Sequence, residues 1–337
     1  MKAKIIAPVI ALFLFWGVMS AQEKPSIPAI DRVRLAEAFR LADRVGNQVW
    51  KDWNKAPFAV LLVTSEYEFL LRHPAPSQDF VPLGHDSLLK SDVYYRKRTQ
   101  STGFLATFPV IKGSMISTIV VGHAENTSAR TSTPWVVTLL HEHFHQLQYS
   151  QPTYYADVNA LDLSHGDQSG MWMLNFPFPY DKKEVQDEFA VLSKSLAAVI
   201  EAPRANRSQK FAEYVRARDE FRQLLAADEY RYLSFQFWQE GIARYTEYQI
   251  AKLAAAKFKP SKEFRGLKDY VSFQQTADSL RARISKQLRT QKLADSQREV
   301  VYPFGAAEGL LLDMVSPRWK SRYFAEKFDL GRYYPAK

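Results

Sequence analysis

The chain reads as an α+β protein, predominantly helical, on three observations. Short apolar runs of strand length lie before about residue 122, long helical periodicities dominate from Asp181 onward, and no repeat or flexible linker divides the 337 residues. The expected organisation is a sheet-bearing N-terminal lobe over 31–150 and a helical C-terminal lobe over 151–337.

Two short segments precede the lobes. Met1-Lys2-Ala3-Lys4, an apolar run from Ile5 to Met19 and the small residues Ser20 and Ala21 have the layout of a secretory signal peptide, 1–21, cut near Ala21-Gln22. A polar leader, 22–30, follows. The apolar run is short for a bilayer span, so no stable membrane span is expected after cleavage, and the chain is expected in the periplasm or outside the cell. Cleavage removes Lys2 and Lys4 and lowers the net charge from +9 to +7. The absence of cysteine excludes lipid attachment through a thiol and any disulfide, so stability must come from the core. Basic residues alternate with acids, as in Arg216-Ala217-Arg218-Asp219-Glu220; solvated helix faces explain them more simply than nucleic-acid binding, and no nucleic-acid partner is expected.

Apolar positions Val33, Leu35, Phe39, Leu41 and Val45 predict a first helix from Ile30 to about Trp53. Ala59-Val60-Leu61-Leu62-Val63 predicts a buried strand, Glu66 to Arg72 a helical turn, and Pro74 to Thr99 an irregular stretch. Phe104 to Ile111 and Met115 to Val121 predict a hairpin turning at Lys112-Gly113-Ser114. The next helix opens at Ser132-Thr133-Pro134, a hydroxyl cap with proline at the first helical position. A long connection, about 151–180, is expected to lid or line a site or to fill core with its aromatics. Helices are then expected at about 182–202, 207–226, 229–256, 270–293 and 303–315.

The strongest chemical statement is His141-Glu142-His143-Phe144-His145, which reads H-E-x-x-H. A helix turns about 100° per residue, so His141 and His145 share a face and can present two imidazole nitrogens to one metal. Glu142 flanks that metal and can deprotonate a bound water; one Zn2+ suits such a site. His143 points away and is expected to pack. All seven histidines fall between His73 and His165, which places the site in the first half of the chain.

Two candidates compete for the third ligand. Glu240 lies in Trp238-Gln239-Glu240-Gly241, where a glycine inside a helix costs about 1 kcal/mol relative to alanine and invites a reason, such as close approach to the zinc helix. Glu247 follows two turns later on the same face and can orient a ligand imidazole. The other candidate is His165, on the loop Ser164-His165-Gly166-Asp167.

H-E-x-x-H joined to Glu240-Gly241-x-Ala243, with Glu247 seven residues on, resembles the gluzincin metallopeptidases, the peptidase MA-like group, and within it the aminopeptidase N-like branch. Gln239 stands where that branch has asparagine. The resemblance implies a zincin-like catalytic unit, His141, His145 and Glu240 as zinc ligands, Glu142 as general base, and a peptide or protein substrate. Tyr302-Pro303-Phe304-Gly305-Ala306 is similar to the Y-x-x-G-A stretch whose tyrosine stabilises the oxyanion, which implies that role for Tyr302. Gly122-His123-Ala124-Glu125-Asn126 is similar to the G-x-M-E-N stretch that binds a free amine, with Ala124 in place of methionine; it implies a substrate-amine contact at Glu125.

The matching motifs are scattered over about 115–315. Ninety-four residues, 146–239, separate His145 from Glu240, far more than in the aminopeptidase N pattern, so the resemblance does not carry over a substrate cleft. The expected activity is zinc-dependent peptide-bond hydrolysis, with aminopeptidase action one form of it. The competing expectation is a non-catalytic envelope protein that keeps the fold as a structural or peptide-binding scaffold.

Overall fold

The computed structural model describes residues 24–167 and 169–335; the signal-peptide and cleavage expectations lie outside them. Chain order begins with helix α1 (Ala29–Val49) and strands β1 (Val60–Val63), β2 (Tyr67–Leu71), β3 (Val81–Asp86), β4 (Ser91–Lys97), β5 (Leu105–Pro109) and β6 (Ser117–Gly122). Helices α2 (Ser132–Tyr149), α3 (Tyr154–Asn159), α4 (Trp172–Asn175), α5 (Lys183–Glu201) and α6 (Arg207–Leu224) follow. Then α7 (Ala227–Gln236) runs through a π-helical turn, Phe237–Gly241, into α8 (Ile242–Lys257). The chain continues through α9 (Lys262–Arg265), α10 (Phe273–Thr290), α11 (Leu293–Ser296) and α12 (Val301–Val315). This is an α+β protein. Among the described residues no helix is long and apolar enough to cross a membrane.

The strands form one mixed sheet in the order β3-β4-β2-β1-β6-β5. The interior strands β1 and β6 pair in parallel, Val60 opposite Ile119, and the other neighbours are antiparallel. Side chains alternate across a strand, so Val60, Leu62, Phe69, Leu71, Ile119 and Val121 face the main core. Leu61, Val63, Leu70 and Val120 face a smaller cluster closed by Phe80 and Ile111. Helices α1 and α2 pack together on the main-core side, and α8 packs on both. One buried cluster runs from Leu35 to Tyr333, so the helices after residue 151 share the core of the sheet-bearing part.

The expected β5–β6 hairpin is present, turning at Ile111–Ser114 with Gly113 at φ +80°. Two expectations for the segment before it are corrected. Glu66 to Arg72 is not a helical turn: Tyr67–Leu71 is strand β2, and Pro74 to Thr99 is not irregular but contains β3 and β4. Glu68 breaks the apolar run of β2, yet it is buried because Arg96 on β4 donates to it at 2.7 Å and the amides of Thr99 and Gln100 cap its other oxygen. β3 sits at a sheet edge, where polar and exposed residues are tolerated.

The start of α2 differs as well. No side chain of its own caps it; Asp269 accepts from the Ser132 amide at 2.8 Å and from its hydroxyl at 2.7 Å, and the Thr133 hydroxyl donates to the Val271 carbonyl. The segment after α9 therefore ties down the end of the helix that carries the H-E-x-x-H.

Gly241 does mark a close approach, but to α12 rather than to α2. A Cβ on Gly241 would run into the Gly305 Cα, and one on Gly305 would lie 2.6 Å from the Phe237 carbonyl oxygen and 2.7 Å from the Gly241 Cα. Backbone meets backbone here, so no rotamer change can make room. Gly305→Ala is expected to destabilise the chain by about 3 kcal/mol in urea unfolding. Gly266→Ala, whose added carbon would sit 3.4 Å from its nearest atoms, is expected to change stability by less than about 1 kcal/mol.

Candidate metal centre

Fifteen of the eighteen residues of α2 are buried, because the helix lies between the sheet, α1 and α8. Its His141 and His145 share the face turned toward the π-helical turn. Their Nε2 atoms lie 3.2 Å apart, and Glu240 Oε2 lies 3.8 Å from the first and 3.4 Å from the second. These three residues form the group of potential metal ligands among the described residues. His165 is not part of it: it sits exposed on its loop with φ +47°. Of the two candidates for a third ligand, Glu240 lies beside the histidine pair and His165 does not.

The donor set fits a tetrahedral cation. Zinc bonds of about 2.0–2.1 Å place ligand atoms about 3.3–3.4 Å apart, close to the three separations observed. His145 Nδ1 lies 2.7 Å from Gln148 Oε1, so the hydrogen of the neutral ring belongs on Nδ1 and the Nε2 lone pair faces inward. His141 Nδ1 lies 2.8 Å from Glu247 Oε1, a close contact without hydrogen-bond alignment, and neither atom has a hydrogen-bond partner among the described residues. Three potential ligand atoms thus converge in a buried place, an arrangement that could hold a metal ion. Burial opposes charge on His141, but the neighbouring carboxylates of Glu240 and Glu247 outweigh it and raise the ring pKa to about 9.

The carboxylates are held ionised. Burial pushes Glu240 upward, but the adjacent His145 ring, the Arg298 guanidinium and the His141 ring hold it well below the usual carboxylate range. Glu247 is lowered to about 2: burial is outweighed by Arg244, whose Nη1 donates to Oε2 at 2.7 Å, and by His141 and Arg283. Glu247 therefore stands where the sequence placed it, against the far nitrogen of a candidate ligand.

Glu142 projects toward edge strand β5. The Thr107 hydroxyl donates to Glu142 Oε2 at 2.7 Å, and among the described residues Oε1 accepts no hydrogen bond. Tyr302, at the start of α12, brings its ring centroid within 6.4 Å of the His141 ring and accepts from Arg298 Nη1 at 3.2 Å. Burial and Glu240 raise the Tyr302 phenol above its ordinary value, so it keeps its proton. The Gly241–Gly305 contact, three residues beyond Tyr302, sets α12 against the Glu240 turn.

Glu125 is not brought to this cluster. Its carboxylate accepts from Arg34 at 2.6 and 3.1 Å, in a network in which Arg34 also binds Asp31 and Asp269 and Asp31 binds His123. Arg34 bonds Ser132 at the start of α2, about 13 Å along the axis from His141. His143 packs as expected: its ring stacks on Phe58 at 3.9 Å, and burial lowers its pKa to about 3.

Several residues escaped the sequence reading. Gln148 carries a signal in its spacing, three residues after His145; its amide also donates to the Gln239 carbonyl at 3.2 Å and to the Tyr323 hydroxyl at 2.8 Å. Tyr149, eight residues after His141, stacks on His145 at 6.0 Å and accepts from Gln239. Arg298 lies one helical turn before Tyr302. Thr107 had no signal, because only the register of β5 brings it to Glu142.

No family model, curated protein or solved structure matches the chain.

Glu240→Ala is expected to abolish stoichiometric zinc uptake, read by elemental analysis after dialysis, while His165→Ala leaves it unchanged. Full zinc occupancy in the Glu240 variant would remove Glu240 from the ligand set.

Proposed function

We propose that this chain is an exported zinc-dependent peptide hydrolase of the gluzincin kind. The observation that carries the reading is the convergence of His141 Nε2, His145 Nε2 and Glu240 Oε2 beside Glu142, whose Oε1 is free to take a proton. A structural zinc site would close its fourth position and would have no use for such a carboxylate. The export half of the proposal rests on the residue pattern of 1–21.

Zinc held by His141, His145 and Glu240 supplies Lewis acidity toward a carbonyl oxygen and a water of lowered pKa. Glu142 accepts the proton of the attacking water and delivers it to the departing nitrogen, which leaves poorly as an anion. Thr107 keeps the Glu142 carboxylate in place by holding Oε2. Tyr302, protonated and close to His141, donates to the oxygen on which charge develops. Glu125, spoken for by Arg34, lends no support to recognition of a free amine, so cleavage within a chain is as compatible with the site as removal of a terminal residue.

Incubating the purified protein with a mixed peptide library, with and without a chelator, tests the reading. Chelator-sensitive cleavage is expected, and its absence would favour the non-catalytic scaffold. Glu142→Gln is expected to retain zinc while lowering turnover about 10²–10⁴-fold, and undiminished hydrolysis would exclude Glu142 as the base. Tyr302→Phe is expected to lower kcat about 10²–10³-fold with KM nearly constant in steady-state kinetics; unchanged kcat would return Tyr302 to packing.

A further inference from the structure

Glu240 turns one oxygen toward the two imidazoles and the other toward Arg298. This arginine lies in the short turn Gln297–Val300 that leads into α12, and its side chain is 14 % exposed. Its Nη2 donates to Glu240 Oε1 at 2.8 Å, its Nη1 to the Tyr302 hydroxyl at 3.2 Å and its Nε to Gln236 Oε1 at 3.2 Å. Gln236 in turn donates from Nε2 to the Met173 carbonyl at 2.8 Å, which joins the long 151–180 connection to the same chain of contacts.

We propose that Arg298 is a positioning residue of the metal centre, holding Glu240 so that Oε2 alone faces His141 and His145 and keeping the Tyr302 hydroxyl in the same frame. The proposal rests on the metal-centre reading above. Three observations carry it. A carboxylate that offers one oxygen to a cation needs its second oxygen satisfied, and Arg298 supplies that bond inside the protein. Simple charge neutralisation of Glu240 would not account for the contacts to Tyr302 and Gln236, which carry no charge. A guanidinium holds its donors in one rigid plane, so binding three acceptors at once fixes their mutual placement, which a lysine ammonium does not do. The turn that delivers Arg298 is itself unusual: Gln297 adopts φ +44°, a conformation that a non-glycine residue keeps only where its surroundings enforce it.

The test compares the full chain with Arg298→Met, Arg298→Lys and Gln236→Leu. Zinc affinity is read by competition with a chromophoric chelator, and ligand geometry by the visible absorption of the cobalt(II) form. Arg298→Met is expected to weaken zinc about 10–100-fold and to change the cobalt spectrum. Arg298→Lys, which keeps the charge but not the planar fork, is expected to bind zinc more weakly than the unaltered chain and to keep a changed cobalt spectrum, and full recovery of both would reduce Arg298 to a counter-charge; Gln236→Leu is expected to lose less than Arg298→Met. Unchanged affinity and spectrum in Arg298→Met would overturn the proposal. Should that variant fail to fold, Gln236→Leu decides, because it frees one end of the guanidinium and keeps its charge; an affinity and spectrum equal to the unaltered chain would again overturn it. A different failure, in which the unaltered chain takes up neither zinc nor cobalt, removes the metal centre itself.

Discussion

Three acceptor atoms aimed at one buried point are the constraint around which the rest of this protein is arranged. His141, His145 and Glu240 place lone pairs within 3.2–3.8 Å of each other where water has little access. A buried carboxylate costs several kcal/mol unless it is paired, and Arg298 supplies that pairing on the Glu240 oxygen turned away from the two rings. The outer contacts answer the same demand. Gln148 and Glu247 face the far nitrogens of the two rings, and Arg244, Arg283 and Arg298 balance the acids. Changing any of the charged members alters the charge balance of the whole group, not one contact.

That arrangement depends on backbone contacts made elsewhere. α2 is held at its start by Asp269 and Val271 and along its length by the sheet, where the Gln146 amide donates to the Ala59 and Ser117 carbonyls at 3.0 and 2.7 Å. α12 is held against the Glu240 turn by two glycines whose backbones touch. The Arg34 network joins α1 to the segments before and after the start of α2. A carboxylate reaching two imidazoles is therefore the end product of packing among α1, α2, α8 and α12, and the same packing encloses the core.

Much of this was legible from residue order. Long apolar periodicities located α5, α6 and α10 to within a few residues, since a helix buries one stripe and repeats it. The spacing of His141 and His145 and the glutamate-glycine pair at 240–241 located the cluster. What stayed hidden depended on partners distant in the chain. β2, β3 and β4 carry charged residues that only cross-strand pairing, such as Glu68 with Arg96, makes compatible with a strand. The partner of Gly241 was misjudged because a glycine announces that something approaches but not which helix. Glu125 kept the order expected of an amine-binding motif, yet Arg34, ninety-one positions earlier, claims its carboxylate.

The π-helical turn at Phe237–Gly241 amounts to one residue more than an α-helix needs over that length. Upstream of it, Tyr232 and Gln236 reach the Met173 carbonyl; downstream, Glu247 and Tyr245 reach His141 and Asp313. The two halves thus keep different angular phases, and the turn is the device that reconciles them. Deleting one residue there would regularise the helix and yet rotate one half by about 100° against its neighbours. Insertions and deletions between Ala227 and Lys257 consequently disturb these contacts far more than substitutions on the outer face of the helix.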